Sequence, residues 1–520
     1  MKLNFREKGI PKWVKHRLGV LFLIFVGALV FFQIVLNRGE EEKKVTMADA
    51  TLPLVGVQTY DHTMGELHGY RTEMDACYMR DALIPLDSKR KMDLTIDTYG
   101  YDIDRVSYEV RSLDTQRKIA DTKINDWSKD KNTWTKSLQI ENLVDEGEEY
   151  LFILKLHCGS ENLYYYTRIT LPEETYAKKC LEFTDQFHDV SMSDQYETLA
   201  SYLEPSEYTD KNDLGSVGID SSIDQIGWRG FNGTQIGKPL VSFTDINDTY
   251  ASLVYTYQME EQNDGVSTYY NVEEYYKVRY TDLQIYLLDY KRTMEQIVDV
   301  AAVGVSGNKL GVGITNGDIQ YLSNETGTIV SFVQAGELFT YNQNKQTFTK
   351  VFGFVDDPTD VRQNYGQHNI RILNIDETGN MDFVVYGYMN RGEHEGESGI
   401  NLYHYDSIKQ EAIEQVFIST THSYQILNAD FSDLLYENAE GDFYIMMSGT
   451  LAKVGLNDLS TKEMITNLKS GQYAVSASGR YVAWITGDEV SDEISIMDLE
   501  TEKTRTIAAA KGTKIKPLAF

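Results

Sequence analysis

Oxygen-bearing side chains alternate along Asn374-Ile375-Asp376-Glu377-Thr378-Gly379-Asn380-Met381-Asp382. In a tight loop such alternation can converge on a hard cation such as calcium, and a glycine lets the chain turn. Asn374, Asp376, Thr378 and Asp382 are the candidate ligands. Asn374 and Thr378 stand where a calcium loop usually carries carboxylates, which lowers the charge of any site. An Asx-rich turn between two strands is the competing reading. Further on, Arg391-Gly392-Glu393-His394-Glu395-Gly396-Glu397 sets one imidazole among three carboxylates. Neither helical nor finger spacing orients these groups on a metal, so the stretch reads as a solvated loop. His62 and His68, which flank a Gly/Glu segment, read the same way.

Covalent and phosphoryl chemistry find no foothold in the sequence. There is no G-x-S-x-G elbow, no HExxH, no P-loop and no GxGxxG. With 79 acidic residues, carboxylate pairs are too common to single out a glycosidase dyad. No catalytic residue and no cofactor-binding residue is assigned. The three cysteines, Cys77, Cys158 and Cys180, form neither a disulfide framework nor a zinc spacing. Cys77 and Cys158 fall in one expected domain, and their pairing depends on compartment and geometry.

Charge divides the chain. Residues 1–36 carry six basic side chains against Glu7, a net of +5, within a chain of net −30, which leaves −35 for the remainder. An acidic body of that size repels phosphate backbones, so nucleic acid is not an expected partner. Residues 18–36, LGVLFLIFVGALVFFQIVL, contain no charge and one amide. Their length matches the roughly 20 residues needed to span a bilayer, and no small-residue cleavage site follows closely. They read as an uncleaved transmembrane helix. The basic flank keeps residues 1–17 cytoplasmic and places everything after residue 36 outside.

The extracytoplasmic part is expected to be mainly β. The chain's 36 tyrosines beside 8 prolines suit pleated, half-buried surfaces. Residues 37–50 form a charged stalk. Residues 51–172 show short alternating strands spaced like a β-sandwich and resemble a fibronectin- or immunoglobulin-like module. In residues 173–204, Tyr176, Cys180, Phe183 and Phe187 follow helical spacing, which gives a helical connector. From residue 205 onwards a repeat appears. A polar turn launches an apolar strand after Asp248-Thr249, Gly307-Asn308, Gly379-Asn380, Gly441-Asp442 and Gly479-Arg480. A second strand ends on Asp289, Asn342, Asp406, Asp458 or Asp498, at intervals that allow insertions at 258–267 and 388–398. Such units predict four-stranded blades of a β-propeller over 205–520.

The last unit, Ser478-Gly479-Arg480 followed by Ile494-Ser495-Ile496-Met497-Asp498-Leu499, resembles the blade motif of TolB-like and WD40-like propellers. The 374–382 loop resembles the calcium loop of FG-GAP blades. The overall style is similar to surface proteins of Gram-positive bacteria. The resemblance implies a fold and, by analogy, a binding platform. The expectation is therefore a single-pass membrane protein with an extracytoplasmic, non-enzymatic binding or scaffold role towards a protein or envelope partner. Two alternatives stand beside it, an extracellular glycan- or peptide-processing enzyme and a sensor coupled to a membrane partner. Five repeats with a sixth partial one leave the ring open, so truncation of a longer chain is also expected.

Overall fold

The computed structural model describes residues 47–518, apart from short stretches at 80–81, 141–143, 207–212, 307–308, 316–318 and 456–459 and single positions at 264, 448, 470 and 488. The expected transmembrane segment at 18–36 lies outside the described residues. Among the described residues no helix is long and apolar enough to cross a membrane.

The chain is mainly β, as its composition implies. Ten strands come first: β1 (Leu54–Thr59), β2 (His62–Leu67), β3 (Leu83–Pro85), β4 (Lys91–Asp97), β5 (Arg105–Ser112), β6 (Lys118–Ile124), β7 (Ser128–Asp130), β8 (Thr133–Gln139), β9 (Glu149–Cys158) and β10 (Glu161–Thr170). They form two sheets. One runs β2-β1-β4-β8-β7, and the other contains β3-β10-β9-β5-β6. Strict alternation drives this arrangement, since Met92, Leu94 and Ile96 of β4 point inward while Lys91, Asp93 and Thr95 do not. A shared core of residues such as Val55, Leu94, Tyr108, Phe152 and Leu163 joins the two sheets.

Helix α1 (Glu174–Ser191) follows, with the Glu173 carboxylate accepting from the Thr175 and Tyr176 amides at its N-terminus. Cys180, Phe183 and Phe187 are buried, as their spacing predicts. Each such side chain removed from water contributes about 1.5–3 kcal/mol. The rows Ser216–Gly218 (β11), Thr234–Ile246 (β12), Ala251–Asn263 (β13), Val266–Tyr280 (β14) and Ile285–Gln296 (β15) come next.

Here the structure departs from the repeat. Strands β13 and β15 were expected in a first blade, but β12–β15 extend the second of these sheets instead. The resulting ten-stranded sheet runs β11-β15-β14-β13-β12-β3-β10-β9-β5-β6, with Phe243 of β12 opposite Leu83 of β3. The expected insertion at 258–267 is the end of a long hairpin, paired out to Asn263 and Val266. The physical reason lies in strand length. At 12 to 15 residues, β12–β15 are much longer than a blade strand, and local alternation does not say which sheet a strand joins. One face of the ribbon carries Leu253, Tyr255, Tyr276 and Met294 and packs under α1. The other face is polar.

After a small hairpin, β16 (Gly304–Ser306) with β17 (Lys309–Gly311), four antiparallel sheets follow in chain order. Their strands are β18–β21 (Tyr321–Ser323, Ile329–Gln334, Glu337–Asn342, Thr347–Phe352), β22–β25 (His368–Ile375, Met381–Tyr388, Ser398–Asp406, Glu411–Thr420), β26–β29 (Leu435–Glu437, Asp442–Met447, Thr450–Gly455, Thr461–Ile465) and β30–β33 (Tyr473–Val475, Tyr481–Trp484, Glu493–Asp498, Lys503–Ala508). The strands ending near Asn342, Asp406 and Asp498, and the one over 450–455, are each the third of their sheet. In the first sheet the second strand is Ile329–Gln334, which the Gly307-Asn308 signal passes over; those two residues lie outside the described set. Apolar clusters form between successive sheets. Leu338 and Phe352 meet Ile370 and Phe383, and Tyr444 and Leu451 meet Val482 and Met497. Helix α2 (Tyr424–Asp433) inserts Leu427 and Phe431 between the second and third sheets.

Candidate functional site

The polar face of β12–β15 lines a cleft of about 1480 Å³. Cross-strand register builds its wall in rows. Thr256, Glu273 and Thr293 stand side by side on β13, β14 and β15, and Gln258, Asn271 and Glu295 form the next row. Strand β2 contributes His62, Glu66 and His68 from its span and its end, and the last turns of α1 contribute Asp185, His188 and Asp189. Opposite stand Gly336 and the segment from Val355 to His368. Two links bridge the walls. Gln258 donates to the Pro358 carbonyl at 2.7 Å, and the Asn271 and Asn364 amides exchange hydrogen bonds at 3.1 and 2.8 Å.

Three histidines of the cleft are fixed on both ring nitrogens, His368 by the Tyr365 and Gly336 carbonyls at 3.1 Å each and the other two by carboxylates as well. His62 meets the Tyr60 carbonyl at 2.8 Å and the Asp185 carboxylate at 3.0 Å. Only the imidazolium donates at both positions. The Asp185 hydrogen bond accordingly raises the His62 pKa, against the opposing effect of burial. The other Asp185 oxygen accepts from the Tyr255 hydroxyl, which also bonds Thr184. His188 meets Glu274 at 2.7 Å and Gln235 Oε1 at 2.9 Å, while the Gln235 amide nitrogen is turned to the Gly237 carbonyl. Burial works against charging His188, but Glu274 outweighs it and raises the pKa. Glu274 is fully buried and accepts from Tyr276 and Tyr290 as well; burial alone would raise its pKa, yet His188 holds it low. With their nitrogens committed to these partners, neither imidazole is poised as a general base.

The remaining carboxylates are different. Burial pushes Glu66 up, helped by Asp97, and burial pushes Glu273 up. His68 is stacked on Tyr365 with ring centroids 3.7 Å apart, and burial lowers it to about 3. His62 and His68 therefore belong to a walled cleft and not to a solvated loop. Their flanking Gly/Glu segment is a β-strand that packs beside β1.

The 391–397 stretch also differs from expectation. Arg391 and Glu395 are buried. Glu395 accepts from the Thr51 amide at 2.6 Å, the Thr51 hydroxyl at 2.6 Å and the Leu52 amide at 3.0 Å. Arg391 pairs with Asp356, and His394 stacks on Phe417 while meeting Glu414 at 3.0 Å. This loop clamps the first described residues onto the sheets. Burying charge is tolerated because each charge finds a partner, which composition alone does not reveal.

Of the calcium candidates, Asp376 and Thr378 lie in the turn between β22 and β23. Asp376 accepts from the Thr378 amide and hydroxyl and from Asn380, and Gly379 takes φ +93°. Asn374 and Asp382 face each other across the ladder at 2.9 Å, and the Asn374 amide also donates to Glu437 of the next sheet. His404 meets Asp382 at 2.7 Å. The structure thus brings the four together as two separate pairs. Among the described residues, no group of three or more His, Cys, Asp or Glu side chains is placed to hold a metal ion. All three cysteines are thiols. Ser107, His157 and Asn162 form a cross-strand relay at 3.0 and 2.6 Å, but none of the three lines the cleft.

Asp185, His188 and Glu273 escape a motif search. The signal that finds them is the polar half of an amphipathic pattern, on α1 and on β13–β15.

No family model and no curated protein matches the chain. Among solved structures it is similar to TolB from Acinetobacter baumannii, at 11% identity over 71% of this chain and 79% of that one, with a TM-score of 0.23. It is also similar to the tricorn protease (10% identity, 52% and 31% covered, TM-score 0.17) and to the extracellular domain of BT4673 from B. thetaiotaomicron (11% identity, 54% and 35% covered, TM-score 0.22). The chain spans about a third of the latter two. TM-scores this far under 0.5 do not establish a shared fold.

Proposed function

We propose that the chain is an extracytoplasmic binding module, held at the membrane through residues 18–36, that engages a protein or cell-envelope partner in the cleft. In this reading β1, β4, β8 and β7 correspond to the A-B-E-D sheet of an immunoglobulin-like sandwich and β5, β9 and β10 to its C-F-G sheet. The four successive meanders correspond to blades of a TolB- or WD40-like array. The cleft carries the reading. Its volume of about 1480 Å³ exceeds the roughly 300–1,000 Å³ of small-molecule pockets. Its walls come from segments far apart in sequence, and they present amides, carboxylates and tyrosines inward. His62 and His188 in it are locked by their own acceptors, which favours recognition over turnover.

A photo-crosslinking residue at Thr359, exposed on the cleft wall, tests this in cells producing the full-length chain, with Ile408 as an exposed control away from it. One discrete adduct from position 359 and none from 408 supports the reading. Identical adducts from both positions, or none, refute it. Calcium at Asn374, Asp376, Thr378 and Asp382 is a separate proposal, supported by the carboxylates of Asp382 and Glu437 meeting at one amide donor. A rise in Tm on adding calcium that D382N abolishes would carry it, and no rise would end it.

A further inference from the structure

The 355–368 wall of the cleft is held by two sets of contacts. One set ties its Pro358 carbonyl and Asn364 side chain to Gln258 and Asn271 on β13 and β14. The other runs to residues 47–52, the first described ones. Arg362 donates to the Ala50 carbonyl at 2.8 Å and clasps Asp360 through Nε and Nη2 at 3.0 and 2.8 Å. Its guanidinium lies over the Tyr99 ring, 3.7 Å from the centroid. Arg391 pairs with Asp356 and stands 3.9 Å from Asp49. The wall is also braced from within, since Gln363 Oε1 accepts from the Asp356 and Asp357 amides at 2.8 and 3.1 Å. A segment so braced shifts as one piece and passes a displacement from one set of contacts to the other.

Residues 47–52 have a seat shaped for them. Glu395 takes the Thr51 and Leu52 amides, and Ala50 and Leu52 are buried. Gly392 and Gly396 take φ +91° and +79°. A Cβ on Gly392 would lie 2.8 Å from Met47 Cγ, and one on Gly396 would lie 2.5 Å from Leu52 Cδ1. The seat is nonetheless incomplete. Arg391 is 2% exposed, and its Nε and Nη1 find no hydrogen-bond acceptor among the described residues. Asp49 and Thr51 stay exposed. An unmatched buried guanidinium is a cost borne by the seated state, and water reaching it on release relieves that cost.

We propose that residues 47–52 are a strap whose seating is coupled to the position of the 355–368 wall. With the strap seated, the wall stands where the structure has it and the cleft is ready for its partner. With the strap released, Arg362 loses the Ala50 carbonyl, Arg391 loses Asp49, and the wall loosens. Linkage makes the effect reciprocal, so a partner that fixes the wall also fixes the strap. In the sequence the strap stands between residues 18–36 and β1, so the state of the cleft reaches the chain that leads to the proposed membrane anchor. The coupling rests on the contacts above, and its use in reporting a bound partner rests on the binding-module reading.

Hydrogen exchange of the full-length chain without any partner tests the coupling. Thr51→Pro removes an amide and a hydroxyl donor to Glu395 without altering Ala50, Arg362 or Arg391. We expect exchange at least fivefold faster at Leu52 and, together with it, at Asp356, Asp357, Gln363 and Asn364, whose amides are hydrogen bonded inside the wall. Strands β26–β33 are expected to be unchanged. In the reverse direction, Q258A/N364A cuts the ties to β13 and β14 and is expected to speed exchange at Thr51 and Leu52 at least threefold. Faster exchange at Leu52 with the wall unaffected makes the segment a local clamp and overturns the proposal, and so does a strap indifferent to Q258A/N364A. Where Thr51→Pro lowers the Tm of the whole chain, Thr51→Ala, which gives up only the hydroxyl contact, is read in its place, with the same outcomes and at least a twofold change. The crosslink at Thr359 separates the two levels. An adduct whose yield falls at least threefold in Thr51→Pro supports reporting through the strap, and an adduct of unchanged yield refutes it and keeps the binding module. No adduct from the parent refutes the module, and exchange alone then decides the coupling.

Discussion

Glu437 offers the sharpest energetic prediction. Its carboxyl lies where the third sheet meets the second, accepting from the Asn374 amide that also serves Asp382, with His404 on the far side of Asp382. Burial, and then the charge of Asp382, pushes its pKa up to about 7, against an ordinary value of 4.5. The folded state therefore holds a proton that the unfolded chain releases between those two pH values. Stability is full below about pH 4.5 and falls as pH climbs to about 7, where the penalty is complete. The gap corresponds to at most about 3.4 kcal/mol at 1.36 kcal/mol per pH unit. Partial solvent access reduces that to about 1–2 kcal/mol. E437Q removes the charge while keeping an acceptor for Asn374. It is expected to be about 1–2 kcal/mol more stable than the parent at pH 8 and equal to it at pH 4.5. Urea unfolding of both chains across this range, followed by hydrogen exchange in β26–β29, measures the difference. A difference that stays flat with pH, or a variant less stable at pH 8, refutes the reasoning.

Three further outcomes follow from the same geometry. Replacing His188 with alanine leaves Glu274 buried beside two tyrosines without its histidine and is expected to cost about 3–5 kcal/mol in urea unfolding. The His188 contribution is complete below its unfolded value near pH 6.5 and is lost as pH rises through its higher folded value, so H188A differs most from the parent at low pH. Glu395→Ala removes three acceptor contacts to residues 51 and 52 and should speed hydrogen exchange there by at least tenfold while β26–β33 are unchanged. Phe243→Ala, at the junction of β12 and β3, is expected to cost about 3–5 kcal/mol and to loosen β3 and β12 together, which tests the continuity of the ten-stranded sheet.

Much of the architecture is legible where one strand face must be buried. Alternation in β4, the continuous apolar run of β9 and the 3–4 spacing of Cys180, Phe183 and Phe187 report burial directly. The same logic failed at β13 and β15, whose residues look like blade strands. They belong to a ribbon whose outer strand, β12, meets β3, a strand three residues long that lies more than 150 positions earlier. Sheet membership is a long-range property that no local period contains. The acids and histidines show a similar split. Arg391 and Glu395 look like a solvated run because burial of a charge depends on a partner elsewhere, here residues 47–52 and Asp356. Asp185 and His188 look like the polar face of a helix, and they are, but that face meets a wall supplied by strands 50 to 100 residues downstream.

The proposed function requires that one cleft be the place where a partner is held. Hydrogen exchange of the full-length chain, free and crosslinked through position 359 to its partner, measures this most directly. Slowed exchange appearing together in residues 60–68, 256–273 and 355–368 is the predicted result, because those segments form its walls. Protection confined to the outer strands of the four small sheets, with the three wall segments unaffected, would contradict it.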